Sequence, residues 1–412
     1  MINPHSRGNV GDSALVEATM RGVRRTGLAG SVAVATRYRE DADWLGGLGA
    51  TAVPPLVDFP PPGSAPKLLR AARFGGSLAA SLAVARAPWR EAAAGWEHLL
   101  EADRVLSCAG GYLFSRGGPQ LSLRHVLAEI ECAASVRPTT LLPQSIGPFT
   151  RQADRRRVRR ALRDVERVYV RDDFSERVAL GDLGLDGGRV ARAPDLVFAL
   201  ARPPRPRHSD LKQRVAMTVL DWRWAGGREP QFRGYLATMS EVAQGLVDRG
   251  VEVELVVQVD LPGHAGQDDR GCAELVARNI RSEVPIHAAG STPEQALERY
   301  GGYDLVIGSR LHSALLALCA GVPALAIGYQ PKSAGIYADV GLSDWAFDAR
   351  ALNGRELGTL AEEILADGAA AERANRAATE ARGRIADLFE EVLSGGARRD
   401  EDAARRELGV ES

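Results

Sequence analysis

Lysine is almost missing from this chain. Of its 52 basic residues only Lys67, Lys212 and Lys332 are lysines; the rest are arginines. A composition that writes arginine wherever a positive charge will do gives weight to a surviving lysine, whose compact, flexible ammonium a guanidinium does not replace. An excess of either sign is also missing: 52 basic residues face 53 acidic ones, for a net charge of −1. That excludes the global electrostatic footprint of a nucleic-acid binder. The four cysteines (Cys108, Cys132, Cys272 and Cys319) are scattered, with no C-x-x-C. They fit a reducing compartment and argue against structural zinc. No His/Asp/Glu cluster has ligand spacing, so no metal is required. The longest apolar run, Ala314–Ile327, contains Pro323 and is too short to span a bilayer. Pro4, His5 and Arg7 interrupt any signal peptide at once. These absences together predict a cytoplasmic protein with at most peripheral membrane contact.

What is present is an ordinary globular composition, 45% hydrophobic and 25% charged, over 412 residues. That length predicts two domains with room for a tail. The chain is organised around Tyr303–Leu342. Leu305–Ile307 reads as a strand, Gly308–His312 as a turn, Ser313–Ala320 as a helix, Gly321 as its left-handed end and Ala324–Ile327 as a second strand. Tyr329, Pro331 and Lys332 then fall in a loop. A strand–helix–strand unit makes parallel neighbours, and both following loops leave the carboxyl edge, where open α/β sheets bind ligands. Ser309, Arg310, His312 and Lys332 are therefore expected at one helix N-terminus, which favours an anion. The competing readings are a structural ion pair for Arg310, a satisfied histidine for His312 and a chance surface position for Lys332.

The rest of the chain repeats the alternation. Asn3–Leu15 carries Gly8 and Gly11 in a turn, with Asp12 as the expected N-cap of a helix whose apolar stripe is Leu15, Val16, Thr19, Met20 and Val23. The strand that should precede it is nearly absent: either the true start lies upstream or the sheet lacks a strand's beginning. Later strands end in Gly110-Gly111, in a Gly/Pro-framed loop carrying Gln144, in Arg171-Asp172 and in Pro194-Asp195. Pro54–Pro66 reads as a loop and Pro66–Leu100 as one or two helices, which either pack on the domain or receive a large acceptor. Ala153–Glu166 is an arginine-crowded helix, whose basic face is either simply solvated or suited to a membrane surface or an anionic glycan. This pattern predicts domains at 1–200, on the acceptor side, and 215–350, on the donor side. Residues 201–214 form a Pro-rich linker, and residues 351–412 form terminal helices and a charged tail. The last helix is open to crossing back onto the first domain. The fold class is α/β: two Rossmann-like domains with parallel sheets, facing across a cleft in a glycosyltransferase-B-like arrangement.

The motifs match a family. Gly8–Leu15, Gly110–Leu113, Gln144–Pro148, Val170–Asp172, Pro194-Asp195, Gly308–His312, Gly321–Pro323 and Tyr329–Lys332 together resemble the polysaccharide pyruvyltransferases. The segment 54–100 and the tail match nothing in that pattern. The resemblance implies transfer of a pyruvyl group from phosphoenolpyruvate, the donor substrate, to two hydroxyls of a sugar or glycan, free or lipid-linked, with no cofactor. Arg310 and Lys332 would hold carboxylate and phosphate, and His312 would move a proton near neutral pH. Asp12, Asp172 and Asp195 are the candidates for the acceptor's base. Asn9, Gly11, Gly110, Gly111, Gln144 and Arg171 complete the expected binding set. One alternative is a nucleotide-sugar glycosyltransferase of the same fold. Many retaining members carry two glutamates eight positions apart, and no Glu occurs here between Glu298 and Glu356. The other alternative is a non-catalytic binding protein.

Overall fold

The structure is a computed structural model of the chain, and it describes all residues except 6, 60–65, 87–94, 116–119, 204–211, 261–267 and 408–412. Most of the expected linker therefore lies outside the described residues. The chain packs as two compact units. The first comprises Met1–Ser6, Leu15–Leu196 and Arg384–Ser412; the second comprises Arg7–Ala14 and Val197–Gly383.

The first unit is built on parallel strands β1 (Ala33–Ala35), β2 (Thr51–Val53), β3 (Val105–Ser107), β4 (Gly110–Ser115), β5 (Thr139–Phe149), β6 (Arg167–Val170) and β7 (Val190–Arg192). β3 and then β4 run along the same neighbour, β5, and β6 and β7 follow. β1 and β2 form a separate pair. Met1 and Ile2 lie where the first strand is expected. Met1 accepts from Ala35 N–H, and Ile2 pairs with Ser107 while bonding Leu106 and Cys108, so these residues stand between β1 and β3. The strands are rich in Val, Leu and Ile because a parallel sheet is covered on both faces.

The helix expected to be capped by Asp12 is Val10–Thr26. The residue before it is Asn9, whose side chain accepts from Gly11 N–H at 3.0 Å, so Asn9 takes the capping role and Asp12 lies in the first turn. The terminal helix, Gly368–Glu407, contributes its second half to the first unit. There Phe389 lies so close to Gly22 that a methyl on Gly22 would overlap its ring.

A buried polar knot also holds this unit. Val57 N–H donates to Glu129 at 3.3 Å, and Val57 C=O bonds His125 Nε2 at 2.9 Å. Burial pushes the Glu129 carboxyl up to about 7, against pull-down by the amides of Val57, Leu56 and Asn3 and by Arg37. Burial, with Arg37 adding to it, pushes His125 down to about 4.

The second unit is a six-stranded, all-parallel sheet: β8 (Arg214–Thr218), β9 (Glu252–Val257), β10 (Ile286–Ala288), β11 (Leu305–Gly308), β12 (Ala324–Gly328) and β13 (Ala346–Asp348). Their order is β10-β9-β8-β11-β12-β13. Successive strands move away from β8 in one direction, and the chain then returns to place β11 on β8's other side. That reversal is the topological switch point of a Rossmann sheet. Among the described residues no helix is long and apolar enough to cross a membrane.

Because the folded state favours protonated Glu129, its stabilising contribution is full below the unfolded value near 4.5 and is lost as pH rises through about 7. That loss is about 3 kcal/mol. Glu129→Gln keeps the amide acceptor without the charge. Its thermal midpoint should exceed that of the parent at pH 8 and match it near pH 4.5. A gain of equal size at both values would contradict this account.

Candidate functional site

The carboxyl edge at the switch point of the second unit is polar. Thr218 ends β8 and Gly308 ends β11, opposite one another in register. The Thr218 hydroxyl shares a hydrogen bond with Ser313 at 2.8 Å and accepts from Ser309 N–H at 3.0 Å. Tyr235 O–H donates to Ser309 at 2.7 Å. Ser309, expected to touch substrate, is thus only 2% exposed and belongs to this hydroxyl network.

Two glycines let helices close down on the sheet. A Cβ on Gly308 would lie 2.8 Å from Ser313 Oγ and 2.9 Å from Ala314 Cβ; one on Gly328 would lie 2.7 Å from Ser333 Cβ. Each strand thus ends in glycine with a serine five residues on, and any other residue would push the helix away. The helices are Leu311–Cys319 and Pro331–Asp339. The first begins two residues before the expected Ser313. The second replaces the loop expected around Lys332, because Pro331 is favoured at a first helical position. His312 and Lys332 therefore occupy the same place, the second residue of a helix, in neighbouring parallel units. Neither helix start has a side-chain cap bond from the residue before it, Arg310 or Gln330. Their opening N–H groups face the same edge as the two basic residues.

Arg310 differs from expectation. Its guanidinium grips Asp269, with Nε 3.0 Å from Oδ2 and Nη2 2.7 Å from Oδ1. The side chains are 13% and 1% exposed. Burial raises the Asp269 carboxyl and Arg310 pulls it back down. The bidentate grip expected on substrate is made here to a protein carboxylate. Asp269 starts the helix Asp269–Arg278 and also accepts from Val259 N–H at 3.0 Å. It anchors the β11 loop to the end of β9. The sequence marked it only as one of two aspartates at a helix start, a signal that any capped helix gives.

The Asn9–Asp12 turn, expected with the strand-end loops of the first half, belongs to the second unit. Gly11 lies against His312, and a Cβ there would overlap the imidazole. Asn9 Nδ2 donates to Asp12 Oδ2 at 3.0 Å, and Asp12 acts electrostatically on Arg310, as does Tyr329. Trp224, after β8, meets Tyr329, after β12, edge to face at 5.9 Å between ring centroids. Asn9, Gly11, Asp12, Ser309, Arg310 and His312 are thus brought together, with Lys332 on the adjoining helix.

The remaining expected residues lie in the first unit. Arg171 bonds Asp195 at 2.5 Å and Ser145 at 2.9 Å; all three are buried. Asp172 caps the helix Asp173–Arg177 through Ser175 N–H and accepts from Ser145 at 2.9 Å. With exposures of 0–1%, Arg171, Asp172 and Asp195 form a buried network inside the first unit. Gln144 is buried, donates to Tyr112 at 2.7 Å, and has a carbonyl oxygen with no hydrogen-bond partner. Gly110 abuts His5, whose Nε2 would be 2.5 Å from an added Cβ, and Gly111 continues β4.

Two doubly wound parallel units define a protein of the glycosyltransferase-B-like class. Solved structures share that fold. The UDP-GlcNAc 2-epimerase of Neisseria meningitidis superposes with a TM-score of 0.55 at 10% identity, covering 93% of this chain and 97% of that one. Anabaena Alr3699/HepE, solved with UDP and glucose, gives 0.57 at 14% identity, covering 95% and 98%. The family model for polysaccharide pyruvyl transferase matches residues 9–331, and the chain belongs to that family of transferases. Amylovoran biosynthesis protein AmsJ of Erwinia amylovora is 23% identical over 274 residues, which make up 62% of this chain and 64% of AmsJ.

Asp269→Ala would leave Arg310 charged and buried without its bidentate partner, and breaking a buried pair typically costs about 3–5 kcal/mol. A large fall in the urea midpoint is expected; a shift below about 1 kcal/mol would refute a central role for the pair.

Proposed function

We propose that this chain transfers the pyruvyl group of phosphoenolpyruvate to two hydroxyls of a sugar, forming a cyclic ketal and releasing phosphate. The observation that carries this reading is the matched placement of His312 and Lys332 at the starts of two adjacent helices, in a chain of this family. A small polyanion with a carboxylate and a phosphate suits two helix N-termini side by side and a point-charge lysine. Arg310, tied to Asp269, holds the β11 loop in place.

Chemically, His312 delivers a proton to the methylene carbon of the donor, leaving a cationic centre at C2. One sugar hydroxyl adds there and gives up its proton. The C2–O bond to phosphate then breaks, and phosphate departs with a proton. The second hydroxyl closes the ring and loses its own proton, so two protons enter the substrates and two leave. Of the candidate bases, Asp172 and Asp195 have their carboxylates engaged inside the first unit, whereas Asp12 is half-exposed beside the Gly11–His312 contact. Asp12 is therefore the carboxylate we assign to the acceptor. AmsJ's name connects that relative to a polysaccharide, in line with a glycan acceptor, free or lipid-linked.

The test is phosphate release from phosphoenolpyruvate with a panel of sugar diols, alongside thermal shifts with phosphoenolpyruvate and with UDP-glucose. Stabilisation by phosphoenolpyruvate alone is expected. His312→Ala should lower the rate about 10²–10⁴-fold, the usual worth of a positioned acid–base group. Lys332→Ala should weaken donor binding more than turnover. An undiminished rate in His312→Ala, or stabilisation by UDP-glucose only, would sink the reading.

A further inference from the structure

The helix Lys67–Arg86, in the segment that the family pattern does not explain, turns the wrong face outward. Its inner side is fixed: Phe74 and Ser81 are buried, and Ser77 Oγ accepts from Asp58 N–H at 2.7 Å. Its outer side carries Leu68 at 85% exposure and Leu69 at 60%, and continues through Ala72, Gly75, Gly76, Ala79 and Ala80, all exposed. A solvent-facing helix surface is normally charged. Among the described side chains of this helix, Arg73 is the exposed charge beside that stripe, and it is paired with Asp58.

The same layer holds a second unusual helix. Gln152–Ala161 exposes Arg155, Arg156, Arg157, Arg159 and Arg160 against one aspartate, Asp154, which is buried. Arg155 pairs with Asp182, Arg157 with Asp154 and Arg160 with Glu131. Arg156 and Arg159 have no acidic partner within ion-pair distance among the described residues. Between the two lies the helix Leu121–Ala134. One shallow hollow joins all three, lined by Phe74 and Leu78 from the first, Arg124 and Leu127 from the middle, and Arg157 and Arg160 from the last. Helices pack at about 8–10 Å, so the apolar and basic surfaces lie about 20 Å apart on one layer.

We propose that this helical layer is a docking surface for an anionic lipid bilayer, with Leu68 and Leu69 entering the headgroup region while the arginine helix meets the lipid charge. Exposed large apolar side chains on the same layer as an arginine-rich helix, with Arg156 and Arg159 outside its ion pairs, match the two attractions that hold a peripheral protein to such a surface. A second copy of the chain fits less well: in a two-fold interface the patch meets itself, bringing the arginine helix towards its own like. The inference does not depend on the pyruvyl reading, since it uses none of the site's residues.

The experiment is co-sedimentation of the full chain with vesicles of 70:30 phosphatidylcholine:phosphatidylglycerol and of pure phosphatidylcholine, at 0.1 and 0.5 M salt. Binding is expected to the anionic vesicles at low salt, with at least a tenfold weaker partition on pure phosphatidylcholine and at high salt. Leu68→Asp/Leu69→Asp and, separately, Arg156→Glu/Arg159→Glu should each lower partition at least tenfold at an unchanged thermal midpoint. These positions are exposed, and the midpoint exposes any variant that fails to fold. Wild-type protein left in the supernatant with anionic vesicles would overturn the proposal. So would undiminished partition of both folded variants, or concentration-dependent dimerisation that the leucine changes abolish without lipid.

Discussion

The ion pair between Arg310 and Asp269 is the constraint on which the second unit's functional edge depends. A carboxylate with 1% exposure and a guanidinium with 13% are costly to take out of water, and they persist because the contact is bidentate and Asp269 also accepts a backbone amide. The pair pins the turn after β11 to the helix that follows β9. With that turn fixed, Gly308 brings the helix Leu311–Cys319 down on the strand end, and His312 is fixed in its first turn. Removing a methyl's worth of space at Gly308, Gly328 or Gly11 would disturb the same edge from three directions.

The second unit's chemistry comes from duplication of a simple device. β11 and β12 each end in glycine, each start a helix three residues on, and each carry a basic side chain at the second helical position. One supplies a titratable ring and the other a permanent charge, and neither helix start is capped from its preceding side chain. In the proposed reaction, proton transfer and anion binding are divided between two adjacent copies of one turn.

Much of this was legible in the sequence, and the failures have physical causes. The strand–helix–strand unit at Tyr303–Leu342, the parallel sheets and the gathering of basic residues at the β11 edge follow from periodicity and from glycine placement. Lys332 was placed in a loop because Gly/Pro framing marks both turns and helix starts, and Pro331 serves the second. The pairing of Arg310 with Asp269 is not legible, because Asp269 lies 41 residues away, across a segment with no periodic link to it. Arg171, Asp172 and Asp195 sit at strand ends, where ligand groups and internal networks use the same residue types; only burial separates them. The Asn9–Asp12 turn was assigned to the first half on chain proximity alone.

That last residue group carries a wider consequence. The chain passes between its two units four times, after Ser6, Ala14, Leu196 and Gly383. Neither unit is therefore a continuous stretch of gene. A recombination event that exchanged the first half of such a chain for another would import a new Gly11 turn against the resident His312. Inheritance of the two halves is coupled through eight residues near the amino terminus, and drift in one half is answerable to the other.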